Sequence, residues 1–151
     1  MQQTVAARTP AHLWIVGILA LLWNCFGGYD YSMTRMRNLE YIKSSMPGAD
    51  PNAVLAYLDG MPMIAQIGWG LGVWMGLLGA ILLLLRSRWA AWAFAVSLVG
   101  MAMSFGSMAM GPPMPGSEQA GMMKYMPVVI VLIGLAEFYY AWRQQKSGLL
   151  R

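Results

Sequence analysis

The sequence has one cysteine, one histidine and few charges, and each scarcity excludes a class of function. With Cys25 alone, no intrachain disulfide and no multi-cysteine metal site can form. Cys25 sits inside an apolar run, so a buried, inert thiol is expected there. With His12 alone, two-histidine metal motifs are absent. A Cys–His pair or a Ser-His-Asp triad would have to run through that one residue. Charged residues make up 11% of the chain, against about 25% in an ordinary soluble domain. A soluble fold of 151 residues needs a charged shell, and six Asp+Glu with ten Lys+Arg do not make one. Soluble enzyme, disordered tail and disulfide scaffold are therefore disfavoured. What abounds is apolar: 58% hydrophobic residues and a mean hydropathy of +0.51. The composition reads as an integral membrane protein, all-α, with one membrane domain over residues 1–151.

A helix needs about 20 apolar residues to cross a hydrocarbon core. Four stretches supply them, at about 12–29, 62–85, 89–110 and 125–142. They predict a four-helix bundle with a partly helical outer loop over 30–61. Arg86-Ser87-Arg88 joins the second and third stretches in a tight antiparallel hairpin. The first stretch follows Arg8 as a signal peptide would, but lacks a small-x-small cleavage pattern. Trp23-Asn24 also precedes Cys25, where a lipoprotein site needs small residues. The stretch is expected to stay as a membrane helix.

Lys and Arg near the span ends set orientation. Arg8, Arg86, Arg88, Arg143, Lys146 and Arg151 fall on one side; Arg35, Arg37, Lys43 and Lys124 fall on the other. Arg86 and Arg88 share a minimal loop and weigh most. Both termini are thus expected in the cytoplasm. Asp30, Glu40, Asp50, Asp59 and Glu118 would then lie outside. Trp14, Trp69, Trp89, Trp142, Tyr29, Tyr31, Tyr125, Tyr139 and Tyr140 cluster near the span ends, as headgroup-level aromatics do.

Within the first outer loop, Asp50-Pro51 reads as an N-cap followed by proline at the first helical position. A short helix over 52–58 should follow, closed by Gly60. Before it, Met33, Met36, Leu39 and Ile42 recur every three residues. That predicts an amphipathic helix on the membrane surface or over the bundle mouth, as a lid or as a substrate gate. The second outer loop, GPPMPGSEQAGMM over 111–123, holds three prolines and three glycines and is expected to be irregular. No internal repeat is visible.

Gly68, Gly72, Gly76 and Ala80 stand four residues apart. Ala93, Ser97, Gly100 and Ser104 stand three and four apart. Small residues at these spacings let membrane helices approach closely. The two faces should meet, or one should form a contact between copies.

Charged groups at membrane depth are costly and are functional candidates. Asn24 lies about two-thirds across the first span, where it suits a bond between helices. Asp30 is at that span's outer end, as a cap or a partner of Arg35 or Arg37, with Gln66 at similar height. Glu137 lies about 9 Å from the cytoplasmic end, counted from Arg143 at 1.5 Å per residue. Its candidate partners there are His12, Arg86 and Arg88. A structural ion pair is the simpler reading of Glu137; a proton relay or ligand-binding acid is the sharper one.

Fifteen methionines is a large excess. Eleven fall outside or near the outer interface: Met33, Met36, Met46, Met61, Met63, Met108, Met110, Met114, Met122, Met123 and Met126. Thioethers select Cu(I), and Met108, Met110 and Met114 have a suitable spacing. Methionine is also a flexible filler of apolar gaps, and the outer loops lack His and Cys. No phosphate loop, dinucleotide fingerprint or paired-carboxylate motif is present, so neither a cofactor nor enzymatic activity is expected. The basic residues are split between two membrane faces and do not suggest nucleic acid.

Leu22-Trp23-Asn24 with Gly27-Gly28, then Tyr29-Asp30-Tyr31-x-Met33-Thr34, resembles the opening of a family of small bacterial four-span inner-membrane proteins. Gly72-Val73-Trp74-x-Gly76, the run Leu82 to Arg86, and Phe94-x-x-Ser97-Leu98 resemble the same family. The resemblance covers about residues 12–104 and implies fold and compartment. Some members carry the label "sugar transporter". Three classes of function follow. The first is an accessory protein or subunit of a membrane complex. The second is a small-molecule transporter, of sugars for instance, working as a homo-oligomer with Asn24, Asp30, Gln66 and Glu137 as polar lining. The third is a membrane enzyme or Cu(I) handler.

Overall fold

Among the described residues, four helices are long and apolar enough to cross a membrane. In chain order the elements are α1 (Ala11–Arg35), α2 (Leu39–Ser45), α3 (Pro51–Asp59), α4 (Met63–Leu84), α5 (Trp89–Met110), a 3-10 turn (Gly121–Tyr125) and α6 (Met126–Lys146). The computed structural model describes residues 10–117 and 121–151, without the side chains of Met122 and Met123. Arg8 and Glu118 from the charge count, and the Met122 and Met123 thioethers, lie outside the described residues. No strand occurs among those described, and the architecture is an all-α four-helix membrane bundle.

Alternate long helices run in opposite directions. The start of α1, the α4–α5 hairpin and the end of α6 therefore share one end of the bundle, the hairpin end. The other is the loop end. α1 packs on α4, α4 on α5 and α5 on α6. The α4–α5 contact is the most extensive, because small residues face each other across it. A Cβ added at Gly68 would lie 2.7 Å from the Gly100 carbonyl, and one at Gly100 would lie 2.5 Å from the Gly72 nitrogen. Ser97 adds a bond between the helices, its hydroxyl donating to the Gly72 carbonyl at 2.6 Å. Close backbone approach replaces the hydrophobic drive that is missing between helices in lipid.

The core at the hairpin end joins Leu13, Ala80, Leu83, Ala90, Phe94 and Ala141. Leu150 is buried with them, so residues 147–151 fold back over the hairpin. The backbones lock there: Arg151 N donates to the Arg86 carbonyl at 2.8 Å, and Arg88 N to the Arg151 carbonyl at 3.0 Å. Arg86 takes a left-handed φ of 59°, which turns the chain within three residues.

At the loop end α1 continues past Tyr29 to Arg35. Its 25 residues measure about 37 Å, more than a hydrocarbon core of about 30 Å. The last turns therefore stand clear of the apolar layer. The chain then breaks at Met36–Asn38, where Arg37 is left-handed with φ 58°. Asn38 caps α2, its side chain accepting from Tyr41 N at 3.0 Å. The single helix expected through Met33, Met36, Leu39 and Ile42 is thus two helices with a corner between them, a correction that the apolar repeat conceals. Asp50 caps α3 by accepting from Asn52 N at 3.1 Å. Gly60 closes it with a right-handed φ of −81°, so no left-handed cap is used. Ile42, Val54 and Leu58 pack on Met61 and Ala65 in a second small core. α2 and α3 form a lid over the loop end.

Candidate functional site

α1 and α6 face each other where the ring of helices stays open, and their backbones do not pack as the other neighbours do. Each presents one face at this seam. Val16, Leu19, Ala20 and Trp23 come from α1; Ile133, Ala136, Glu137 and Tyr140 come from α6. Both sets follow the spacing i, i+3, i+4, i+7, a single stripe on a helix. Between the stripes lies an open, mostly apolar groove of about 410 Å³.

Glu137 forms part of its wall and is 8% exposed. The Asn24 side-chain amide donates to Glu137 Oε1 at 2.8 Å and to the Ala20 carbonyl at 2.9 Å. Asn24 is buried because α4 is thin behind it: a Cβ at Gly76 would collide with Asn24 Oδ1 and would lie 3.2 Å from Ser97 Oγ. All four long helices thus contribute to one polar level inside the bundle. α1 supplies Asn24, α4 the gap at Gly76, α5 Ser97 and α6 Glu137.

Among the described residues Glu137 is bonded to a neutral amide and makes no ion pair; Arg37 and Asp59 do. The expected partners His12, Arg86 and Arg88 lie elsewhere. His12 Nδ1 and the Tyr140 hydroxyl are 2.7 Å apart, with the rings edge-on at 6.0 Å. Arg86 and Arg88 belong to the hairpin paired with Arg151. The reason is depth. The bond from Asn24 sets Glu137 at the level of Asn24, nine residues or about 14 Å along α6 from its end at Lys146 and away from the hairpin.

Asp30 and Gln66 do not join this level or each other. Asp30 accepts from the Tyr41 hydroxyl at 2.8 Å, fastening the lid to α1. Burial, and then that bond to the Asp30 carboxylate, push the Tyr41 phenol up to about 12. Gln66 accepts from Arg35 at 3.4 Å and donates to the Met61 carbonyl at 3.0 Å. Arg37 pairs with Asp59 of α3, which holds the Asp59 carboxyl below its ordinary range. Asp30 therefore pairs with neither arginine. Sequence reasoning missed Tyr41 because its partner lies across the unforeseen corner.

Met108 and Met114 pack against the lid core as apolar filler. Met110 is 86% exposed, because residues two apart on a helix face different ways. The three thioethers do not converge. No cluster of three His, Cys, Asp or Glu occurs among the described residues. Cys25 is exposed on α1, contrary to the expected burial: it follows Asn24, whose face is turned inward. Trp14, Trp89, Trp142, Tyr29, Tyr125 and Tyr139 are exposed near the two ends, whereas Tyr31 packs on Trp69 at 4.7 Å. A smaller hollow of about 170 Å³ lies at the hairpin end between Arg88, Trp89, Trp92 and Gln145.

No family model, curated protein or solved structure matches this chain.

Proposed function

We propose that this chain is an accessory subunit of a membrane complex and that the α1–α6 seam is its attachment surface. One observation carries the reading: a deep carboxyl with no cationic partner in the described chain lines an open apolar groove. Buried charged groups in membranes are ordinarily paired or functional, and an open seam between two helices offers the place. The proposed compartment is a bacterial inner membrane, in keeping with the resemblance noted above. Arg86 and Arg88 on the minimal hairpin favour the hairpin end, and both termini, as cytoplasmic.

A second reading is a transporter of a lipid-soluble molecule, working as an oligomer. The groove volume favours it, falling within the range of about 300–1,000 Å³ for ligand pockets. A sugar suits the groove less well, since its hydroxyls need several polar partners and the lining offers chiefly Glu137 and Tyr140. Native mass spectrometry of protein extracted gently from its own membrane separates the readings. A stoichiometric foreign subunit is the expected result. A homo-oligomer carrying one small-molecule mass, with no foreign subunit, overturns the subunit reading.

A further inference from the structure

The chemistry of the seam specifies what fills it. Its two walls are helix faces with the same four-residue stripe, 16–23 on α1 and 133–140 on α6. Each stripe runs about 10 Å along its helix, so the groove is a trough between two ridges. Ridges of this kind receive the ridge of another helix. A helix laid there would touch α1 and α6 together and close the ring that their separation leaves open.

Charge adds the second element. The group bonded to Glu137 is neutral, the Asn24 amide of α1, and what backs Asn24 is neutral too: Gly76 of α4, with Ser97 of α5 beside it. Glu137 stands 11 residues from Met126 and 9 from Lys146, the ends of α6. It is therefore near the middle of α6, about 14–17 Å from either end. We infer that the groove receives one transmembrane helix of a partner protein, and that this helix carries a single basic side chain level with Glu137 that pairs with it. The inference rests on the subunit reading and names the partner's chemistry. A basic residue deep in a lone helix is costly to insert; Glu137 offsets that cost only when the two helices are together. Recognition is thus by charge at one depth and by apolar packing above and below it.

The test uses the full chain, dye-labelled at its C-terminus, in phosphatidylcholine vesicles. The probes are synthetic Leu/Ala helices of about 20 residues, with Lys, Leu or Glu at the centre and an acceptor dye. Energy transfer reports association. The Lys peptide is expected to associate at least about tenfold more tightly than the Leu peptide, a difference of about 1.4 kcal/mol. The Glu peptide should associate least, and moving the Lys one turn along should remove most of the gain. Glu137→Gln should bring the Lys and Leu peptides level. Ala136→Trp should block all of them by filling the trough; Ala136 is exposed on the wall, so the bundle core is untouched. Equal association of the Lys and Leu peptides, or full Lys-peptide association by Ala136→Trp, overturns the inference. So does recovery of a small organic cation from the native protein that the Lys peptide displaces. The two proposals fail differently. A native foreign subunit that Ala136→Trp does not release leaves the subunit reading standing and removes this one. Lys-selective association with no native foreign subunit does the reverse.

Discussion

Gly100→Ala adds one methyl group and should separate the two best-packed helices of the bundle. A Cβ at position 100 would lie 2.5 Å from Gly72 N, 2.7 Å from the Gly68 carbonyl and 3.0 Å from Gly72 Cα. All three are backbone atoms, so no side chain can rotate away. Ordinary contact begins near 3.4 Å, so α4 and α5 must part by roughly 0.9 Å (3.4 less 2.5). A gap of 0.5–1 Å forfeits about a quarter to a half of each dispersion contact along the interface. Overpacking of this kind costs about 1–3 kcal/mol. The control lies in the same helix: a Cβ at Gly106 meets nothing within 4 Å. Both variants gain the same helix propensity, about 1 kcal/mol in Ala over Gly, which cancels between them. Gly100→Ala should therefore be less stable than Gly106→Ala by about 1–3 kcal/mol, or about 5- to 150-fold in the unfolding equilibrium. Reversible unfolding in mixed micelles, followed by circular dichroism, measures the difference. Equal stability of the two variants refutes the close α4–α5 approach.

Three further outcomes are expected. Asn24→Ala removes the amide donor to Glu137 and should cost about 1–3 kcal/mol; unchanged unfolding in the same micelles would show that Asn24 does not hold the carboxyl. Ser97→Ala loses one bond between helices, worth about 0.6 kcal/mol on average in membranes, and a loss above 2 kcal/mol would mean that Ser97 does more than bond Gly72. Tyr41 should titrate late, since its phenol is pushed up from 10.0 to about 12. A raised folded-state value means that its stabilisation of the lid is whole below pH 10.0 and is lost as pH climbs toward about 12. Phenolate absorbance should lose a phase near pH 12 in Tyr41→Phe; an unchanged titration curve refutes the Asp30 bond.

The architecture was legible because lipid imposes a strong constraint. Backbone polar groups in hydrocarbon must be satisfied within the segment, so a long apolar stretch has few alternatives to a helix. The meeting of Gly68, Gly72, Gly76 with Ser97 and Gly100 was legible for a related reason. Small residues repeating every four mark a face, and the minimal Arg86-Ser87-Arg88 link makes α4 and α5 antiparallel neighbours. The corner at Arg37 was not legible. The repeat through Met33, Met36, Leu39 and Ile42 holds on both sides of a break set by a left-handed arginine, and arginine gives no sign of that conformation. The cap at Asn38 was the available signal, since Asn favours the position before a helix.

The candidate site was half legible, and the missing half is a matter of register. Glu137 and Asn24 stood out one by one as polar groups at depth. Their pairing depends on relative height, and a count along one helix does not give it, because packing against the neighbours sets each helix's tilt and offset. The better ruler lay in each helix's own buried stripe. On α1 the buried positions are Leu13, Gly17, Ala20, Asn24 and Gly28; on α6 they are Gly134, Glu137 and Ala141. A polar residue in step with Gly and Ala faces inward, where space is scarce and only another thin or polar position can receive it. Asn24 in step with Gly17 and Gly28, and Glu137 in step with Gly134, are the only buried Asn and Glu on these stripes. Matching inward polar groups before matching depths would have joined them. It would also have exposed what remains unmatched, a carboxyl bonded to an amide beside an open seam, which is the feature the proposed partner helix completes.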